Sequence, residues 1–246
     1  MKDRYVHEII RDYMALEQFV TWLPDLEEHE RFFLCLQARK KYMPTLKASD
    51  KTQLKRFTSR KETLIDKIRQ LECPVGCYRT KEGEVIPDEG IALYITLNPR
   101  DMRKATFTGA KALIDMIQKA DNGGLPDFNP HSEILSCIHK SKGRSTFVHF
   151  DVDRPTGDEA DENAPKSDLS TEGVWKKAVE IVGEKAVSVI ETRGGCHLMI
   201  DPSKVVSEHK NWYPMIVKQI HSDQTGDLMV PVVGCCQGGF VPRFYK

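Results

Sequence analysis

The chain has 246 residues, 40% hydrophobic and 29% charged, enough to bury a full core in one large domain or two modest ones. Its 36 Lys/Arg offset its 36 Asp/Glu, which argues against a partner held by bulk charge alone. No apolar run approaches the roughly 20 residues that span a bilayer, and the opening MKDRYVHEII lacks the apolar centre of a secretory leader, so a cytoplasmic protein is expected.

Taken in chain order, residues 1–75 alternate apolar and charged positions at helical spacing, as in LEEHERFFLCLQARKKYM and QLKRFTSRKETLIDKIRQLE, and predict a helical N-terminal region. Within it, Arg39 to Arg69 carries eleven Lys/Arg against three acids, either a solvated helix face or a nucleic-acid surface. GIALYITLN (90–98) predicts a buried strand, and TGAKALIDMIQKA (108–120) a helix that opens on Thr108. NPRDMRK follows that strand and offers Arg100, Arg103 and Lys104 to phosphates.

The C-terminal hundred residues have a plainer rhythm. TFVHFDVD predicts a strand, TEGVWKKAVEIVG a helix closed by Gly183, and AVSVIET, RGG and CHLMID a hairpin. VVSEHKNWYPMIVKQIH predicts a helix interrupted near Pro214, and GFVPRFY a last strand. The order βαββαβ is the split βαβ, or ferredoxin-like, arrangement, with its first and third strands antiparallel neighbours at the centre of the sheet. Residues 153–168 are acidic and without periodicity, and read as a loop.

That topology explains why two acids stand one residue apart at the end of an apolar run. Asp151 and Asp153 fall on one face of the first strand, because strand side chains alternate. The third strand runs the other way, so His197 at its start should lie beside them, and the loop returning to the last strand brings Asp227, with Asp223 as its reserve. Asp201 lies four residues beyond His197, roughly 13 Å along the strand, too far to share an ion with Asp151. Paired carboxylates repel unless a cation sits between them, and oxygen ligands suit Mg²⁺ or Mn²⁺. His197, beside a Gly-Gly turn, is placed for phosphate. Arg193, Arg243, Lys142 and Arg144 flank the expected site and suit a polyphosphate.

These residues resemble the archaeo-eukaryotic primase superfamily, the primase-polymerases. The motifs are HFDVD (Asp151, Asp153), GCH (Gly195, Cys196, His197) and TGD (Asp227), with TRGGCHLMI similar to the hairpin of phage and plasmid members and QGGFVPRF to a glycine-rich segment after their third acid. Gly195 stands where the family often has Ser. The resemblance covers about residues 145–246 and implies an α+β fold: a primase-polymerase-like catalytic core over 76–246 with an RRM-like C-terminal half. It further implies a template-directed nucleotidyltransferase in which Asp151, Asp153 and Asp227 hold two divalent ions and His197, Gly195, Arg193, Arg243, Lys142 and Arg144 serve the nucleotide. Its partners would be nucleoside triphosphates, a DNA or RNA template or primer, and a helicase, since the chain carries no helicase motif. A nucleic-acid-binding module without catalysis and a metal-dependent nuclease are the rival readings of the same residues. Seven cysteines, two of them adjacent, suggest reduced thiols, and Cys73, Cys77, Cys137 and His139 are a candidate zinc set.

Overall fold

The computed structural model describes residues 6–46, 52–80, 82–121, 129–153, 170–206, 211–220 and 224–246. The chain opens with α1 (Tyr13–Trp22), whose first turn is capped by the Asp12 carboxylate accepting from the Ala15 amide. Where the sequence pattern predicts further helix, the chain forms strands β1 (Glu30–Ala38) and β2 (Thr52–Ser59), and only α2 (Leu64–Arg69) is helical. The helical expectation for 1–75 is therefore corrected, and the reason is physical. The apolar run Phe32–Leu36 is continuous because β1 is covered on both faces, and such a run carries no period to tell strand from buried helix. Phe32, Leu34, Leu36 and Ala38 pack with Leu16, Phe19, Leu64 and Ile68 of α1 and α2. Phe33 and Cys35, on the opposite face, meet Ala105 and Ile138 from two later helices.

Strand β3 (Ile91–Thr96), buried along its whole length, pairs antiparallel with β1, Leu34 opposite Ile95. After the short β4 (Arg100–Asp101) comes α3 (Met102–Asp121), which starts six residues before Thr108. The cap is Asp101, whose Oδ1 accepts from the Arg103 and Lys104 amides at 2.9 and 3.1 Å, whereas the Thr108 hydroxyl donates back to the Lys104 carbonyl within the helix. Helix α4 (Pro130–Lys140), capped by Asn129, packs beside α3.

The second sheet is built from β5 (Val148–Asp153), α5 (Thr171–Val182), β6 (Val187–Glu191), β7 (Gly195–Ile200), α6 (Trp212–Ile220) and β8 (Gln224–Gly226). The neighbour order β6-β7-β5-β8, antiparallel throughout, is the split βαβ arrangement read from the sequence. Its fourth strand is not GFVPRFY. From β8 the chain crosses into the first sheet as β9 (Met229–Pro231), beside β3, and GFVPRFY contributes only β10 (Arg243–Phe244) on the far edge against β6. A hairpin-sized stretch of three residues had no pattern long enough to be recognised, while the longer apolar GFVPRFY did.

Helices α5 and α6 cover one face of this sheet through Phe150, Val152, Leu198 and Ile200. The other face turns toward the first sheet, and Phe147, Ile190 and Met199 join the same core as Phe32 and Leu93. Trp22 fixes the junction: its ring stacks on Phe147 at 4.8 Å, meets Phe244 edge-on at 5.1 Å, and its indole N–H donates to the Ser188 hydroxyl at 3.2 Å. Among the described residues no helix is long and apolar enough to cross a membrane.

Candidate nucleotide and metal site

Between the two sheets lies a cavity of about 280 Å³. One wall is the inward face of the second sheet. Register places Asp151 opposite His197 and Asp153 opposite Gly195, because β5 and β7 are central antiparallel neighbours and the tight turn after β6 fixes where β7 begins. Asp151 is half-buried and Asp153 exposed into the cavity. His197 Nδ1 lies 3.3 Å from Asp151 Oδ1 and 2.9 Å from His149 Nε2, the residue two positions before Asp151 on the same face. Burial, and then the positive charge of Lys41, push the His197 imidazole down to about 3, and burial followed by the His197 charge holds His149 well below its ordinary value. Both rings are thus neutral at pH 7, so one nitrogen of the His149–His197 bond donates and the other accepts.

The facing wall comes from the first sheet and carries the opposite charge. Arg39 and Lys41, at and just past the end of β1, line it with Tyr42, Gln37 and Tyr94. The Arg39 guanidinium donates to the Tyr94 hydroxyl at 2.7 Å and lies over both the Tyr42 and Tyr94 rings at 5.6 and 5.5 Å. Arg193, from the β6–β7 turn, lies over the other neighbourhood of the Tyr42 ring at 4.9 Å and donates to the Gly238 carbonyl, and its own amide donates to Gln237 Oε1 at 2.9 Å. Gly238 is at φ +59°, and a Cβ there would sit 2.5 Å from the Tyr42 ring, so the QGG turn approaches that ring as only glycine permits. Arg39, Lys41 and Arg193 thus surround the Tyr42 ring, and Arg39 and Lys41 line the cavity opposite the acids.

The other residues singled out in the sequence lie as follows. Asp227 stands just past β8, where the register pairs Asp151 with Gln224 and His149 with Gly226, so it falls about 10 Å along the sheet from Asp151. Its carboxylate bonds the buried Arg100 guanidinium and, at 3.2 Å, the Asn98 side-chain amide. Asn98 also accepts from the Thr146 and Phe147 amides at 2.8 and 2.9 Å, clamping the approach to β5. Arg243 pairs with Glu191 at 2.8 Å on the outer edge, and Arg144 with Glu30 at 3.2 Å; neither lines the cavity, nor does Lys142. Arg103 bonds His29 at 2.8 Å, and Lys104 reaches the Lys142 carbonyl at 3.5 Å. Asp201 caps the turn at Ser203 and pairs with Lys204. Asp223 and residues 154–168 of the acidic loop lie outside the described residues.

Cys137 approaches Glu133 on α4 and His139 stacks on Phe33 at 4.8 Å, whereas Cys73 and Cys77 follow α2. Among the described residues no group of three or more His, Cys, Asp or Glu side chains is arranged to hold a metal. The pair Asp151 and Asp153 nonetheless fits an ion of the Mg²⁺ type, which takes one or two carboxylates and completes its shell with water and substrate phosphate oxygens.

The cavity brings together Asp151, Asp153 and His197, singled out in the sequence, with Arg39 and Lys41, which the sequence offers only as part of a basic segment, and with Tyr42, Tyr94 and Gln237, which it does not single out. The signal for Arg39 was present: with FFLCLQAR taken as a strand, Cys35, Gln37 and Arg39 share a face. Comparison with protein-family models, with curated proteins and with solved structures returns no match, so the resemblance rests on the motif residues themselves.

Proposed function

We propose that this chain is a template-directed nucleotidyltransferase of the primase-polymerase kind, joining nucleoside triphosphates with the help of divalent ions. One observation supports this reading above the others: the cavity sets two carboxylates, Asp151 and Asp153, against Arg39 and Lys41 on the facing wall, with Arg193 over the Tyr42 ring of that wall. A metal-bound triphosphate carries both complements, cations toward the acids and anionic oxygens toward the guanidinium groups. Neither wall alone would explain the other.

In this reading Asp151 and Asp153 hold the Mg²⁺ or Mn²⁺, which supplies charge neutralisation of the phosphates and activation of an attacking 3′-hydroxyl. Arg39, Lys41 and Arg193 stabilise the negative charge that develops on the phosphoryl oxygens and the departing pyrophosphate. His197, whose Nδ1 bonds His149, leaves Nε2 for the substrate, and Nε2 donates to a phosphate oxygen in the tautomer in which Nδ1 accepts from the His149 Nε2–H. Asp227, which the resemblance places in the ion set, is held by Arg100 about 10 Å along the sheet from Asp151, so it joins that set only by leaving Arg100 and closing that distance.

The test is incubation with labelled nucleotides, a primed and an unprimed template, and Mn²⁺. Extended product is expected, abolished by Asp151→Ala with Asp153→Ala while circular dichroism and the thermal transition persist. Shortened template would point instead to a nuclease, binding without turnover to a recognition module, and full synthesis by the double variant would remove these acids from the site.

A further inference from the structure

The segment Cys73–Pro74–Val75–Gly76–Cys77 has no part in the site described above. Its turn is closed by the Cys77 amide donating to the Pro74 carbonyl at 3.0 Å, with Gly76 at φ +98° in the position of a type II turn that demands a positive φ. Such a turn holds its first and last Cα atoms within about 7 Å, and Cys73 adjoins the first. Cys73 and Cys77 flank this turn, and both face a cavity of about 500 Å³ that Lys55, Arg56 and Lys67 also line. Cys77 is exposed and Cys73 half-buried behind it.

We propose that Cys73 and Cys77 form a dithiol that anionic low-molecular-weight disulfides, of the glutathione disulfide type, oxidise to an internal disulfide. The Cys77 thiolate attacks one sulfur of the reagent, forms a mixed disulfide and releases one thiolate. The Cys73 thiolate then attacks Cys77 Sγ, closes the Cys73–Cys77 bond and expels the second thiolate, so that two protein thiols are oxidised and one reagent disulfide is reduced to two thiols. Lys55 and Lys67, which line the same cavity, attract the anionic reagent. Burial, and then the neighbouring Cys77 thiol, hold Cys73 above its ordinary value, and the exposed Cys77 is the thiol the reagent meets first. The remaining five cysteines are buried, and burial pushes Cys236 up to about 12 and Cys235 well above its ordinary value, which keeps these two as inert thiols.

The folded protein is treated with glutathione disulfide, acid-quenched and mapped by peptide mass spectrometry. The wild-type chain is expected to yield the Cys73–Cys77 bond with the other cysteines unmodified. Cys73→Ser is expected to accumulate glutathione on Cys77, and Cys77→Ser to lose roughly tenfold or more in modification rate, since the accessible thiolate is gone. Wild-type protein that stops at glutathionylated Cys77, or a Cys77→Ser variant modified at the wild-type rate, overturns the proposal. The readout is independent of nucleotide chemistry, so it stands or falls apart from the proposed function.

Discussion

At the scale of the residue, the pair Arg100–Asp227 carries the largest local consequence. Arg100 is 1% exposed, and its guanidinium is neutralised by one carboxylate that Asn98 also binds. Removing a single partner of such a pair strands the other charge without water, which costs far more than the pair contributes while intact. Asp227→Ala is expected to lower the unfolding free energy by about 3 to 5 kcal/mol in urea titration. Asp227→Asn, which keeps the Asn98 contact, should lose less. A loss below about 1 kcal/mol for the alanine variant would show that Asp227 is not the strut of Arg100. A loss of activity in Asp227→Asn with stability retained would separate the two roles.

At the scale of the element, the turn Gln237–Gly239 decides how the two walls of the cavity meet. Gln237 accepts from the Arg193 amide, Gly238 accepts from the Arg193 guanidinium, and the Gly238 backbone lies flat against Tyr42. Gly238→Ala puts a methyl group into the Tyr42 ring at a φ that L residues rarely adopt, so either Tyr42 or the turn must shift. The cation cluster loosens while Asp151 and Asp153, on β5, keep their places. Metal binding should therefore persist and nucleotide affinity fall by roughly tenfold, about 1.4 kcal/mol, measured by calorimetry with a nonhydrolysable triphosphate. Equal loss of both would contradict a division of labour between the walls.

The same element explains what the sequence disclosed. The second sheet was legible because α5 and α6 cover one face only, giving β5 its alternation of Phe150 and Val152 with Asp151 and Asp153, and because Gly183 and the RGG turn mark element ends. The acids and His197 were legible with it, since their meeting depends on one strand pairing of known hand. The cation wall was not: Arg39 and Lys41 reach the site from another sheet, through a strand buried on both faces that has no period to betray it. Nor does any local pattern in TGD announce that Asp227 will meet Arg100, 127 residues earlier in the chain.

At the scale of the whole molecule, the two sheets are laced together and do not merely touch. The chain leaves β8 in one sheet, enters the other as β9 opposite Tyr94 and Ile95, and returns as β10 against β6. One core accordingly holds Leu16, Phe19, Phe32 and Leu34 from the first third of the chain with Ile190, Met199 and Val230 from the last. The fragment 76–246 contains every motif of the resemblance but lacks α1, β1, β2 and α2. In it β3 would keep only β9 as a neighbour, baring an apolar edge where Leu93 and Ile95 had paired with β1, and such an edge invites association. Arg39, Lys41 and Tyr42 would be absent from the cavity as well. The fragment is expected to show no cooperative unfolding transition, to aggregate at micromolar concentration, and to bind no triphosphate, by near-UV circular dichroism, light scattering and calorimetry. A fragment that unfolds cooperatively and binds nucleotide as the full chain does would mean that the second sheet is sufficient, and that the charge of the facing wall is incidental to the chemistry.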